Sequence, residues 1–180
     1  MAGPVVAAAV ILPMDFFCPE LRDSKKLKRK KICELAYFIK KSALSFGIGV
    51  VDSEFIDKND ILTATFLAMQ KAVSHLSIKP DLLLIDGSQT NPFLKEFQQF
   101  AIVDGDDKIP LISAASIIAK DYRDSIMEQY ALIYPDYCFE KHKGYGTPLH
   151  RSLIQKHGLS PIHRKSFCKW LKKFDEMRLI

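Results

Sequence analysis

Two short hydrophobic runs break at the same dipeptide. "DLLLIDG" at 81–87 and "QFAIVDGD" at 99–106 both run into Asp-Gly. Open α/β sheets gather their ligands at the carboxyl ends of strands. Asp86 and Asp106 are therefore candidate oxygen ligands for a hard divalent cation such as Mg2+, which binds through one or two carboxylates together with substrate phosphate. The plain alternative is turn chemistry, since Asp-Gly is also a common way to end a strand. Spacing alone leaves both readings open.

A second stretch, "DSKKLKRKK", puts six basic residues among positions 25–31, with Asp23 or Ser24 placed to cap a helix. Cations in a first helical turn oppose the helix dipole, so Lys25 and Lys26 suit a nearby anion such as a phosphate. The alternative is a solvated helix face. A third stretch, "HKGYGT" at 142–147, sets Tyr145 between Gly144 and Gly146 and beside Lys143. Flanking glycines let the backbone approach a ligand closely, and the ring can stack on a sugar or base. Its alternative is a Gly-rich turn around a packed tyrosine. His142, His150, His157 and His163 are spaced too irregularly for a metal site and read as surface or packing residues.

Hydrophobic periodicity supplies the elements that must position these residues. The pattern predicts a strand over 4–12, a helix over 25–41, a strand over 42–52 and a helix over 60–76 that Asp60 caps through the Thr63 amide. The two Asp-Gly runs follow as strands whose continuous apolarity suits a sheet covered on both faces. A long helix over about 112–131 comes next. Thr147 and Pro148 start a short helix that Gly158 stops, and "KWLKKFDEM" forms a terminal helix packing Trp170 and Phe174.

The length of 180 residues fits one domain with a small C-terminal appendage. A composition 48% hydrophobic and 26% charged excludes long disorder. Cys18, Cys33, Cys138 and Cys168 show no C-x-x-C spacing, which argues against a zinc knuckle or a disulfide framework and for a reducing, cytoplasmic compartment. The formal net charge of +5 suggests a polyanionic partner. The opening "MAGPVVAAAVILP" lacks the basic lead-in of a secretory signal and meets Pro13 and Asp15 too early for a membrane span. It reads as a core strand, and no membrane association is expected.

Several blocks in one order, "AGPVVAAAVIL", "DSKKL", "ILTATFLAM", "IDG", "GDDKIPLISAASIIAKDYRD", "YP", "HKGYGTPLH" and "GLSPIHRKSF", resemble the type 2 ribonuclease H, or ribonuclease HII, family. The resemblance runs almost from end to end. It implies a ribonuclease H-like α/β fold: a mixed sheet with flanking helices in a catalytic region over 1–135, and a C-terminal helical segment over 136–180. It also implies cleavage of the RNA strand of RNA–DNA hybrids and nicking at ribonucleotides embedded in duplex DNA, with two Mg2+ or Mn2+ ions held by four acidic residues. Asp86 and Asp106 match two of the four, Lys25 and Lys26 look like phosphate contacts with Ser24 beside them as a further substrate-binding residue, and Lys143, Gly144 and Tyr145 look like a substrate-binding loop in which the tyrosine stacks on a deoxyribose. A monomer is the default expectation. Whether the C-terminal helices bind a partner such as a replication clamp stays open.

Two departures accompany the resemblance. Asp104 stands where the family more often has Lys. In the family "AGPVV" follows a strand reading roughly G-x-D-E-A-G-R-G-P-L, which supplies the other two carboxylates and the central strand of the sheet. The expectation is an N-terminally shortened chain that lacks that first, central strand, folds poorly and has little or no activity, or a catalytically dead remnant that still binds hybrid duplexes.

Overall fold

The computed structural model describes residues 1–21 and 27–171. These fall into two compact units: residues 6–50 with 65–122, and residues 1–5, 51–64 and 123–171. In chain order the elements are β1 (Val5–Ile11), α1 (Arg29–Ser42), β2 (Ser45–Val51), α2 (Ser53–Lys58), α3 (Ile61–Ser74), β3 (Leu82–Asp86), β4 (Gln98–Ile102), α4 (Gly105–Lys108), α5 (Pro110–Ile133), α6 (Phe139–His142) and α7 (Pro148–His157), with three-residue 3-10 turns at Pro135–Tyr137 and Lys165–Phe167.

In the first unit, α1 buries Ile32, Leu35, Ala36 and Ile39, the i, i+3, i+4, i+7 stripe of an amphipathic helix, against Ala114, Ile117 and Ile118 of α5. Small residues in "SAASIIA" let the two helices approach. Asp121 ties them together, accepting from Arg29 Nη1 at 2.7 Å and Lys40 Nζ at 3.1 Å. Helix α1 begins at Arg29, four residues later than its basic run predicts, and its N-cap Lys28 offers no side-chain acceptor. Strand β2 lies hard against α3: a Cβ on Gly49 would sit 1.9 Å from the Ala68 carbonyl oxygen. The glycines of "SFGIGVV" therefore mark close approach rather than a turn.

β3 and β4 pair in parallel, with Asp86 opposite Ile102, and the Gly87 amide extends the ladder to the Ile102 carbonyl at 3.0 Å. Their connection contains no helix. Asn91, fully buried, holds it by donating from Nδ2 to the Phe66 carbonyl at 2.8 Å, and Gln99 Nε2 donates to the carbonyls of Asn91 and Leu94. Among the described residues the strands form two two-stranded sheets, β1–β2 and β3–β4, rather than one mixed sheet. Residues of β1, β3, α3 and α5, among them Met69, Val73, Ile112 and Ala115, line one cavity of about 410 Å³. Neither strand pairs with the other across it.

The second unit packs Ala2, Met127, Tyr137, Phe139 and Ile162 into a core of its own. Helix α7 starts where Thr147 and Pro148 place it, with Thr147 Oγ1 accepting from the His150 amide, and ends at Gly158. Asp60 caps α3 through the Thr63 amide at 2.8 Å, as its sequence position predicts. Helix α2 was not legible in the pattern; Asp52 caps it by accepting from the Phe55 amide, and its Asp57 receives the backbone amides of Lys165 and Ser166 at 2.7 and 2.9 Å. Among the described residues no helix is long and apolar enough to cross a membrane. Phe174, and the end of the terminal helix expected at "KWLKKFDEM", lie outside the described residues.

Candidate active site

The run read as a strand over 99–106 stops at Ile102, because Val103 and Asp104 turn the chain. Asp104 adopts a left-handed conformation with φ 55°, strained for a residue with a Cβ but tolerated best by Asp and Asn. The turn starts α4 at Gly105, whose amide donates to Asp86 Oδ1 at 2.9 Å. Asp106 follows one residue on. Parallel pairing thus puts one carboxylate at the end of β3 and the other just past the end of β4, on the same edge of the sheet. Asp86 is exposed and Asp106 half-buried. A bond from a backbone amide fixes one oxygen of the exposed Asp86. The donor set is all hard oxygen, which fits a divalent cation of the Mg2+ or Mn2+ kind.

The other candidate residues belong to the second unit. Lys143 and Gly144 both have positive φ, 50° and 79°, and a Cβ on Gly144 would lie 2.5 Å from the Ala2 carbonyl oxygen. The double left-handed turn throws Tyr145 outward, 57% exposed. Its ring lies over the Arg123 guanidinium, 5.0 Å from carbon Cζ to the ring centroid. Arg123 is itself fixed by donating to the carbonyls of Pro4 and Ala2 at 3.1 and 3.2 Å. Lys143 is not a free cation: its ammonium donates to Glu128 Oε1 at 2.9 Å and to the Glu140 carbonyl at 2.8 Å. Ser24, Lys25 and Lys26 lie outside the described residues.

Three of the four histidines read as surface or packing residues are buried together beneath this loop. His142 stacks on His150 with centroids 4.2 Å apart, and His150 Nε2 meets His163 Nε2 at 3.0 Å. Burial lowers the pKa of His142 and pushes those of His150 and His163 down to about 4. His157 is exposed. Among the described residues, no three His, Cys, Asp or Glu side chains group so as to hold a metal ion. The histidine cluster and Arg123 were missed in the sequence because nothing in their spacing announces contact. Only Gly144 and Gly146 hinted that the backbone there is special.

The family model of ribonuclease HII matches residues 1–170. The chain belongs to the ribonuclease HII family. The ribonuclease HII of Endomicrobium trichonymphae is 53% identical over 167 residues, covering 93% of this chain and 79% of that one. A crystal structure of ribonuclease H2 from Pyrococcus horikoshii OT3 superposes with a TM-score of 0.76, at 24% identity, over 98% of this chain and 92% of that one. Bst-RNase HIII, crystallised in complex with Mn2+, superposes with a TM-score of 0.63, at 16% identity, over 87% of this chain and 58% of that one. The protein is thus a ribonuclease H type hydrolase with an α/β fold and flanking helices.

Proposed function

We propose that this member of the family is an endoribonuclease that cleaves the RNA strand of RNA–DNA hybrids and nicks duplex DNA at embedded ribonucleotides, leaving 5′-phosphate and 3′-hydroxyl ends. The observation that carries this reading is the pair of carboxylates, Asp86 and Asp106, brought to one sheet edge by parallel pairing and the Gly105 amide. Asp86 and Asp106 would hold Mg2+ or Mn2+, and the Mn2+ bound by the RNase HIII neighbour supports that choice of ion. Two such ions supply activation of a water and charge stabilisation at the leaving 3′ oxygen. The chain's own part is to orient these carboxylates and to grip the duplex.

In this reading Tyr145 stacks on a deoxyribose while Gly144 lets the backbone close on the strand. Lys143 reaches a phosphate by exchanging its Glu128 partner for it. Ser24, Lys25 and Lys26 bind phosphates on another stretch of backbone, and residues 136–180 form the duplex-binding part of a monomer.

Of the four acidic ligands that the resemblance implies, this reading assigns two, Asp86 and Asp106. The cavity flanked by β1 and β3 supports the further reading that the central strand of the family's sheet is absent from the arrangement described here, and that hydrolysis by the 180-residue chain alone is weak. The same observation favours a second reading, a binder of hybrid duplexes with no turnover. Asp86→Asn separates the two. For an enzyme, nicking of a ribonucleotide-containing duplex in Mg2+ falls by two or more orders of magnitude while affinity for the duplex changes less than about threefold. For a binder, no metal-dependent nicking is seen in either protein. Equal affinity for plain DNA at the same salt concentration rules out both, since phosphate contacts alone carry no preference for a ribonucleotide.

A further inference from the structure

The buried histidines under the Tyr145 loop are a directed chain rather than a packing cluster, because each tautomer is dictated by a neighbour that has only one role to play. The Ser160 backbone N–H is 2.8 Å from His163 Nδ1, and a backbone amide can only donate, so Nδ1 accepts and the proton of neutral His163 sits on Nε2. That Nε2–H points at His150 Nε2, 3.0 Å away, which must accept. The proton of His150 is then on Nδ1, where it donates to the Tyr145 carbonyl at 2.9 Å. His142 is fixed by the same logic: the Gly144 amide donates to its Nδ1 at 3.2 Å, and its Nε2–H donates to the Tyr137 carbonyl at 2.8 Å. The rings are held by Phe139, which lies 5.5 Å from His150 and 5.7 Å from both His142 and His163.

We propose that His163 and His150 are positioning residues: they form a one-way relay from Ser160 that pins the Tyr145 carbonyl and so presents the tyrosine ring to the nucleic acid. The relay grips the backbone on one side while Arg123 lies under the ring, so an exposed aromatic residue keeps a single orientation in a loop with two left-handed residues. The ordering is made on folding, so the duplex is not charged for it on binding. This inference rests on the reading that Tyr145 contacts the duplex. Low proton affinity at both rings agrees with it, since a second proton on His150 Nε2 would oppose the His163 Nε2–H across 3.0 Å and one on His163 Nδ1 would oppose the Ser160 N–H across 2.8 Å.

The test is a double-mutant cycle on the full 180-residue chain, with affinity for a fluorescent RNA–DNA hybrid read by anisotropy at pH 7.5 and fixed salt. Tyr145→Ala is expected to weaken binding about tenfold, the usual scale of one aromatic stack. His163→Phe, which fills the ring's space without donating, is expected to weaken it several-fold with Tyr145 present and not at all in the Tyr145→Ala background. An equal loss in both backgrounds, or none in either, overturns the relay while leaving Tyr145 as a contact. No effect of Tyr145→Ala removes the reading on which the relay rests, and the inference with it. Imidazole nitrogen NMR of the unsubstituted protein tests the relay without any variant. It should find His163 protonated at Nε2 and His150 at Nδ1, and the opposite tautomer at either ring overturns the inference.

Discussion

Tyr145, His150 and His163 show how one exposed residue is governed by groups that cannot be seen from its surface. The same burial has a consequence for stability. Desolvation lowers the pKa of His150 and His163 from 6.5 to about 4 in the folded protein. The unfolded chain therefore binds protons near pH 6.5 and the folded chain only near pH 4, so acid favours unfolding. Stability from these rings is complete above pH 6.5 and is lost as the pH falls from 6.5 towards 4. The rings face His142, Tyr137, Phe139 and Ser160, and His142 shifts in the same direction for the same reason. Asp57, Asp60 and Asp121 have pKa values below 3.8 and lose their contribution only at lower pH. Melting followed by circular dichroism should show Tm falling between pH 7 and pH 5, with a shallower slope in His163→Phe. A flat Tm over that interval contradicts buried, neutral rings. The turns that set the positions of Asp86 and Asp106 were legible in the sequence, because Asp86-Gly87 and Asp104-Gly105 each end an apolar run. The histidines were not: no single helix or strand spans 142–163, and only the packing of α6, α7 and the loop after it brings the rings together.

At the scale of elements, apolar runs and periodicity located β1, β2, α3, β3 and α5 to within a few residues, and the Thr147-Pro148 start and Gly158 stop located α7. Periodicity missed α6, four residues long and entered through left-handed Cys138, since a single turn has no period to read. It also began α1 too early, where charge rather than apolar pattern was followed. The glycines of β2 were the subtler signal. Gly49 faces the Ala68 carbonyl and the Ala72 amide of α3 at distances no Cβ tolerates, so Gly49→Ala must move either the strand or the helix. Overpacking of this kind costs about 1–3 kcal/mol. Chemical denaturation should show that loss with little change in the denaturant slope, and affinity for a hybrid duplex should be unaffected at temperatures where the variant is folded. A variant as stable as the parent means that β2 and α3 are further apart in solution.

For the whole molecule, the sequence could not reveal how strands pair, because pairing depends on residues far apart in the chain and two-sided apolarity fits any interior position. β1 and β3 each pair with one strand only, and residues of both line the cavity of about 410 Å³. A strand bonded on one side only directs alternate amides at its partner and leaves the others for solvent. The expectation for hydrogen exchange follows from that geometry: along Val6–Ile11 and Leu82–Asp86, every second amide should exchange quickly and its neighbours slowly. In the other unit, the amides of Gly144 and Tyr145, bonded to His142 Nδ1 and to the His142 carbonyl, should be protected although the tyrosine side chain is exposed. Alternation in β1 and β3 together with protection at 144–145 would mean that the cavity stays open to water while the loop is held. Uniform protection along both strands would mean that the cavity closes in solution, and that the weak hydrolysis proposed for the chain alone has lost its structural reason.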